Sequence, residues 1–173
     1  MPCCLGNAAS LVPVRLQEFG PTMSTEANPQ MFVSREREKL INTIVFFLKN
    51  TNHCHTLKLF KLLNLADFEH FRQKGRTITG LQYRALPKGP VPTALLDEFQ
   101  RGGDKDLKTA VQLFAVKDEI TDALLRRDLK PRVEFEKNWF TKRELRIMEL
   151  VAEFFRDMRA EDMSEFSRST LLG

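Results

Sequence analysis

Apolar positions fall into helical spacing three times along the chain. In residues 34–50, SREREKLINTIVFFLKN, Leu40, Ile41, Ile44, Val45, Phe47 and Leu48 share one arc, which predicts an amphipathic helix. Phe46 lands on the opposite side with Lys39, Asn42 and Lys49, so it reads as an outward aromatic available to a partner. In residues 56–74, TLKLFKLLNLADFEHFRQK, Lys58, Lys61, Leu65, Glu69 and Arg72 make a narrow outer face, and everything else turns inward, Asn64, Asp67 and His70 included. Gly75 supplies a left-handed stop. In residues 141–157, TKRELRIMELVAEFFRD, Thr141 and Glu144 match a capping box. The apolar arc of this third helix is so broad that it is expected at the centre of the core.

The segments between follow turn and strand signals. Residues 76–86, RTITGLQYRAL, suggest a strand or hairpin with Gly80 as a bend. Residues 87–92, PKGPVP, hold three prolines and a glycine and read as a rigid connecting loop with Lys88 at its tip. Pro92 suits the start of a helix, PTALLDEFQ, stopped by Gly102 and Gly103. Farther on, AVQLFAVK predicts a strand, PRVEFE its partner, and DEITDALLRRD a helical excursion between them. AEDMSEFS predicts a short closing helix. The fold class is mainly α (α+β), a compact helical domain with a small antiparallel β hairpin or sheet. One domain is expected over residues 31–173, behind a disordered or loosely packed tail at 1–30, with Met23 or Met31 as an alternative start.

Composition sharpens this picture in a few places. The chain has 173 residues, enough for a core of its own. Fourteen Phe stand against one Tyr and one Trp, so the aromatic mass lacks polar handles and reads as core filler. Lys and Arg number 27 and Asp and Glu 23, a net charge of +4, which is weak for a dedicated nucleic-acid binder. Cys3, Cys4 and Cys54 show neither a disulfide framework nor a zinc-knuckle spacing, which fits a reducing cytoplasm. No apolar run approaches the length of a membrane helix, and residues 1–20 lack the pattern of a secretion signal.

Candidate chemistry centres on Asp67 and His70, two ionisable groups at i and i+3 on an apolar helix face, where each needs a partner. A catalytic reading makes them an orienter and a base, but no nucleophile sits on a turn motif, and RGGDKD lacks both a preceding strand and the Lys-Ser/Thr ending of a phosphate loop. The structural reading is preferred. Asp67 accepts backbone N–H groups from the GRTITG turn, and His70 donates to a nearby carbonyl or to Asp67. His53, Cys54, His55, Asp67, Glu69 and His70 cluster in sequence, but His53 and His55 at i, i+2 do not share a helical face and no metal motif is present. Neither a metal nor a cofactor is expected.

The stretch LLNLADFEHFRQKGRTITGLQYRALPKGPVPTALLDEF resembles the core of the SocA-like antitoxin, or Panacea-domain, family. Lys61, Leu62, Leu63, Ala66, Asp67, His70, Gly75, Ile78, Thr79, Gly80, Tyr83, Pro87, Gly89, Pro90, Val91, Pro92, Ala94 and Leu95 match its pattern, and Asn64 replaces the usual aromatic. A second block, FTKRELRIMELVAEFFRDMRAEDMSEFS, resembles its C-terminal part, with Met163, Ser164 and Ser167 in register. Arg168 stands where the family commonly has a His, and the Trp that commonly follows is missing. The resemblance implies an antitoxin that neutralises a toxin, encoded by a neighbouring gene or in a prophage, by direct binding, with delivery to a cellular protease as a further role of one member. It implies a protein–protein module and no enzyme. Candidate partner-binding residues are Phe46, Arg72, Tyr83, Arg84, Lys88, Pro90 and Pro92. The alternatives are a prophage-associated DNA-binding regulator and an enzyme centred on Asp67 and His70.

Overall fold

Residues Leu40 to Leu48 are buried one after another, so the first helix, α1 (Pro29–Asn50), has no wet side over that span. The computed structural model describes residues 29–87, 89–117 and 124–163. Helices α2 (Thr56–Lys74) and α5 (Lys142–Phe154) pack on α1, as do α4 (Lys105–Ala110), strand β4 (Leu124–Pro131) and a 3₁₀ turn at Lys137–Trp139. Ile44, Val45 and Phe47 of α1 meet Leu59, Leu62 and Leu63 of α2 in one continuous core with Leu107, Met148 and Met163. Each such side chain contributes roughly 1.5–3 kcal/mol on burial.

This placement corrects two expectations. Phe46 is only 6% exposed. It packs edge-on to Phe135, with ring centroids 5.1 Å apart, because the segment leading to the 3₁₀ turn covers the side of α1 that the helical wheel left to solvent. Asn42 is buried beside it and satisfied, its Nδ2 donating to the Glu38 carbonyl and its Oδ1 accepting from the Glu136 N–H. The central helix is therefore α1. Helix α5, expected at the centre, leaves Leu150 and Phe154 exposed on its outer side.

Helix α2 ends at Gly75, whose φ of 68° is left-handed and whose N–H bonds the Phe71 carbonyl. Its first half, Lys58 to Leu63, is buried on every side, because α1, α5, β4 and strand β2 (Gly89–Pro92) all pack on this helix. Lys58 and Lys61 are thus inside, a correction to their outer-face assignment. The Lys58 ammonium donates to the carbonyls of Asn52 at 2.6 Å and Arg156 at 2.9 Å, tying the α1–α2 connection to the end of α5. Burial holds its pKa below the ordinary lysine value.

Of the three prolines expected in a loop, Pro87 stays in a turn, while Pro90 and Pro92 lie in a strand. β1 (Tyr83–Leu86) pairs antiparallel with β2, Tyr83 opposite Pro92 and Leu86 opposite Gly89. Pro90 and Pro92 alternate along β2, so an ordinary ladder takes its donors from Gly89 and Val91. Pro92 also caps α3 (Thr93–Gln100), and Gly102 and Gly103 follow it with positive φ. β3 (Val111–Lys117) pairs with β4, whose sequence is LLRRDLKP, and PRVEFE is not its partner. The expected helical excursion thus ends as strand, and residues 118–123 lie outside those described. Helix α4 had no sequence signal of its own. The described residues make a mainly α protein with two small antiparallel two-stranded sheets. A helical turn at 160–163 starts the expected closing helix, and Ser164, Ser167 and Arg168 lie outside the described residues, as do residues 1–28.

Candidate functional site

Helical spacing puts Asp67 and His70 on the same face of α2, and the chain that follows Gly75 folds back over them. The Asp67 carboxylate accepts the backbone N–H of Ile78 at 2.7 Å and of Thr79 at 2.9 Å on one oxygen. Its other oxygen accepts the Thr79 hydroxyl and, at 2.8 Å, the Tyr83 hydroxyl. Four donors therefore close on one carboxylate that is 1% exposed. The turn is further fixed by the Gly80 N–H, which bonds the Thr77 hydroxyl. Burial, then the adjacent Asp67 charge, push the Tyr83 phenol far above its ordinary value, so it stays a donor.

His70 does not bond Asp67. Its Nδ1 donates to the Arg76 carbonyl at 2.7 Å, which holds the other end of the same turn. Its Nε2 faces Glu144 of α5 at 3.9 Å, and the residue is 2% exposed. Glu144 accepts from the Lys39 ammonium at 2.5 Å and from the Thr141 N–H at 2.8 Å, completing a capping box at the start of α5. Burial works to raise the Glu144 pKa, but the bonds from Lys39 and Thr141 outweigh it and hold the carboxyl below its ordinary value. Asp67, His70 and Glu144 thus bring the β hairpin, α2 and α5 into one polar joint. The four donors on Asp67 and the Arg76 carbonyl on His70 Nδ1 make this joint a brace between the turn after α2 and the helix itself.

A second joint was missed by the sequence reading. Arg37 of α1 forks to Glu98 of α3, at 2.5 and 2.8 Å, and to Asp106 of α4, at 2.7 and 2.9 Å. The Asp104 N–H adds a bond to Glu98. The two carboxylates raise the Arg37 pKa, and Arg37 lowers both of theirs, against burial in the case of Glu98. These partners lie 61 and 69 residues from Arg37, and no local motif links them.

The other singled-out residues scatter. Arg72 is exposed and pairs with Glu69 one turn back, at 2.8 Å. Arg84 and Pro90 are exposed on the hairpin, and Lys88 lies outside the described residues. Pro92 is buried against the core, and Phe46 is likewise buried, so neither lies at the surface. Tyr83 turns its hydroxyl inward to Asp67. His53 is exposed with a positive φ, while His55 precedes α2 as its N-cap. Among the described residues, no three His, Cys, Asp or Glu side chains are grouped to hold a metal. Nor is any helix among them long and apolar enough to cross a membrane.

What the wheel did not reveal is that four large apolar side chains on α2 and α5 stand exposed. Phe68 and Phe71 on α2 are 53% and 55% exposed, and Leu150 and Phe154 on α5 are 57% and 59% exposed. The signal was available in part: Phe68 lies beside the polar face that carries Arg72. The sequence-family model described as Antitoxin SocA-like, Panacea domain, matches residues 59–170. That span holds the Asp67 joint, both sheets and α5. No curated protein and no solved structure matches the chain.

Proposed function

The chain belongs to the SocA-like, Panacea-domain antitoxin family, and from that premise we propose that it holds a cognate toxin, encoded by a neighbouring gene, inactive by binding it directly. The observation that carries this reading is the set of large apolar side chains left exposed on α2 and α5. Phe68, Phe71, Leu150 and Phe154 each stand more than half exposed, on two helices that pack against one another. Scattered apolar side chains are ordinary at a surface; four large ones on two adjacent helices favour burial by a partner. Arg72 beside them and Arg84 and Pro90 on the hairpin are polar and rigid contacts for the same partner. The Asp67 joint serves this role from within, by fixing the angle at which the hairpin leaves α2.

The test is coexpression of the chain with the product of the adjacent gene. Restored growth and a complex that survives gel filtration are expected. Toxicity that persists, with no complex on pull-down, counts against the reading.

A further inference from the structure

The first turn of α2 opens onto a groove of about 950 Å³ between the β1–β2 hairpin, α3, β4 and the chain after α5. Two kinds of surface meet there. Leu57, Leu86 and Leu96 give it an accessible apolar lining, backed by the buried Phe60 and Val91. Arg126, Arg127 and Arg159 also line it, against Glu161 as the one acidic residue of the described lining. Arg126 is engaged by Asp128, at 2.9 Å. Arg127 and Arg159 form no ion pair among the described residues. Helix α2 adds to the positive side. Its N-cap His55 makes no side-chain cap, and its first turn holds no acidic residue, so the helix itself supplies nothing to answer its leading N–H groups, and Glu161 and Asp128 are the carboxylates near the N-cap.

An inorganic anion would use the arginines and leave the leucines wet. A purely apolar ligand would cover the leucines and leave two guanidinium groups partly desolvated without a counter-charge, which is costly. A chain segment that interleaves carboxylates with apolar side chains satisfies both. Resting on the function proposed above, we infer that this groove takes an acidic segment of the toxin that carries apolar side chains. Its carboxylates go to Arg127, Arg159 and the open turn of α2, and its apolar side chains go to Leu57, Leu86 and Leu96. The groove then sets which toxins are accepted, because a basic segment is repelled by the same charges that hold an acidic one.

Two measurements on the coexpressed complex test this. First, the double variant Arg127→Glu/Arg159→Glu is compared with a control reversal on α4, Lys105→Glu/Lys108→Glu. The groove variant should bind the toxin about tenfold or more weaker and lose part of the salt dependence, while the control stays within about twofold. Second, a photo-crosslinking benzoylphenylalanine replaces the exposed Leu86, and the joined toxin peptide is sequenced. A net acidic peptide containing apolar residues is expected. Unchanged affinity of the groove variant, an equal loss in the control, no crosslink from Leu86, or a basic crosslinked peptide each overturns the groove assignment while leaving toxin binding intact. Absence of any complex with the unaltered chain overturns the proposed function and this inference together.

Discussion

The Tyr83 hydroxyl donates to the Asp67 carboxylate at 2.8 Å, joining the start of the hairpin to α2 across sixteen positions of chain. Tyr83→Phe removes one of four donors and leaves the carboxylate with three, so a loss of about 1 kcal/mol in unfolding free energy is expected. Asp67→Ala strands the Ile78 and Thr79 N–H groups and both hydroxyls together, and a loss of about 3 kcal/mol or more is expected. Urea unfolding of both single variants and the double measures the coupling. Equal and small effects of the two substitutions would sink the idea that Asp67 is the anchor.

Acid should loosen the second side of this joint. Glu144 has a folded-state pKa below its ordinary value near 4.5, and Glu98 shares that direction. A carboxyl so shifted stabilises the fold fully above the unfolded value, and the contribution disappears as pH falls through the folded value. Stability should therefore be flat with respect to these groups near neutrality and fall below about pH 4.5. Glu144→Gln keeps a residue able to close the capping box but removes the charge that Lys39 pairs with. It should lower stability at neutral pH and flatten the acid slope, read from thermal melts across the pH range. An unchanged slope would mean that Glu144 does not carry this dependence.

What was legible in the sequence was local. The end of α2 at Gly75, the Thr141–Glu144 capping box and the acceptance of the GRTITG turn by Asp67 all join residues near in sequence, where spacing alone fixes geometry. What was not legible depends on coverage from afar. A helical wheel assumes one wet face, but Phe135 arrives from a distant segment to cover Phe46, and the end of α5 arrives to cover Lys58. β4 was misread because LLRRDLKP alternates neither cleanly as a strand nor as a helix; its pairing with β3 decides it. The Arg37 fork was invisible for the same reason.

Lys58 gives a direct check of that lesson. A lysine on a solvated face tolerates replacement within about 0.5 kcal/mol. Here Lys58→Met keeps most of the buried stem but leaves the Asn52 and Arg156 carbonyls without their donor. A loss of about 1–3 kcal/mol is expected, measured by urea unfolding at pH 7. The same substitution should speed amide exchange around the α1–α2 connection more than within β3. A variant as stable as the parent would return Lys58 to the surface.

Phe46 and Phe71 should behave in opposite ways, although the sequence pattern turned the first outward and the second inward. Phe46→Ala empties a site enclosed by Phe47 and Phe135 and should cost about 3–5 kcal/mol of stability. Phe71→Ser removes an exposed ring and should leave stability within about 0.5 kcal/mol of the parent. If the exposed apolar side chains of α2 are part of the toxin contact, Phe71→Ser should instead weaken the complex about tenfold or more, because an apolar anchor at an interface carries more than its share of the binding energy. Unfolding curves and binding isotherms on the same two proteins separate the effects. A Phe71→Ser protein that binds its toxin as tightly as the parent would move the contact off this face, and one that unfolds early would show that the ring is packed after all.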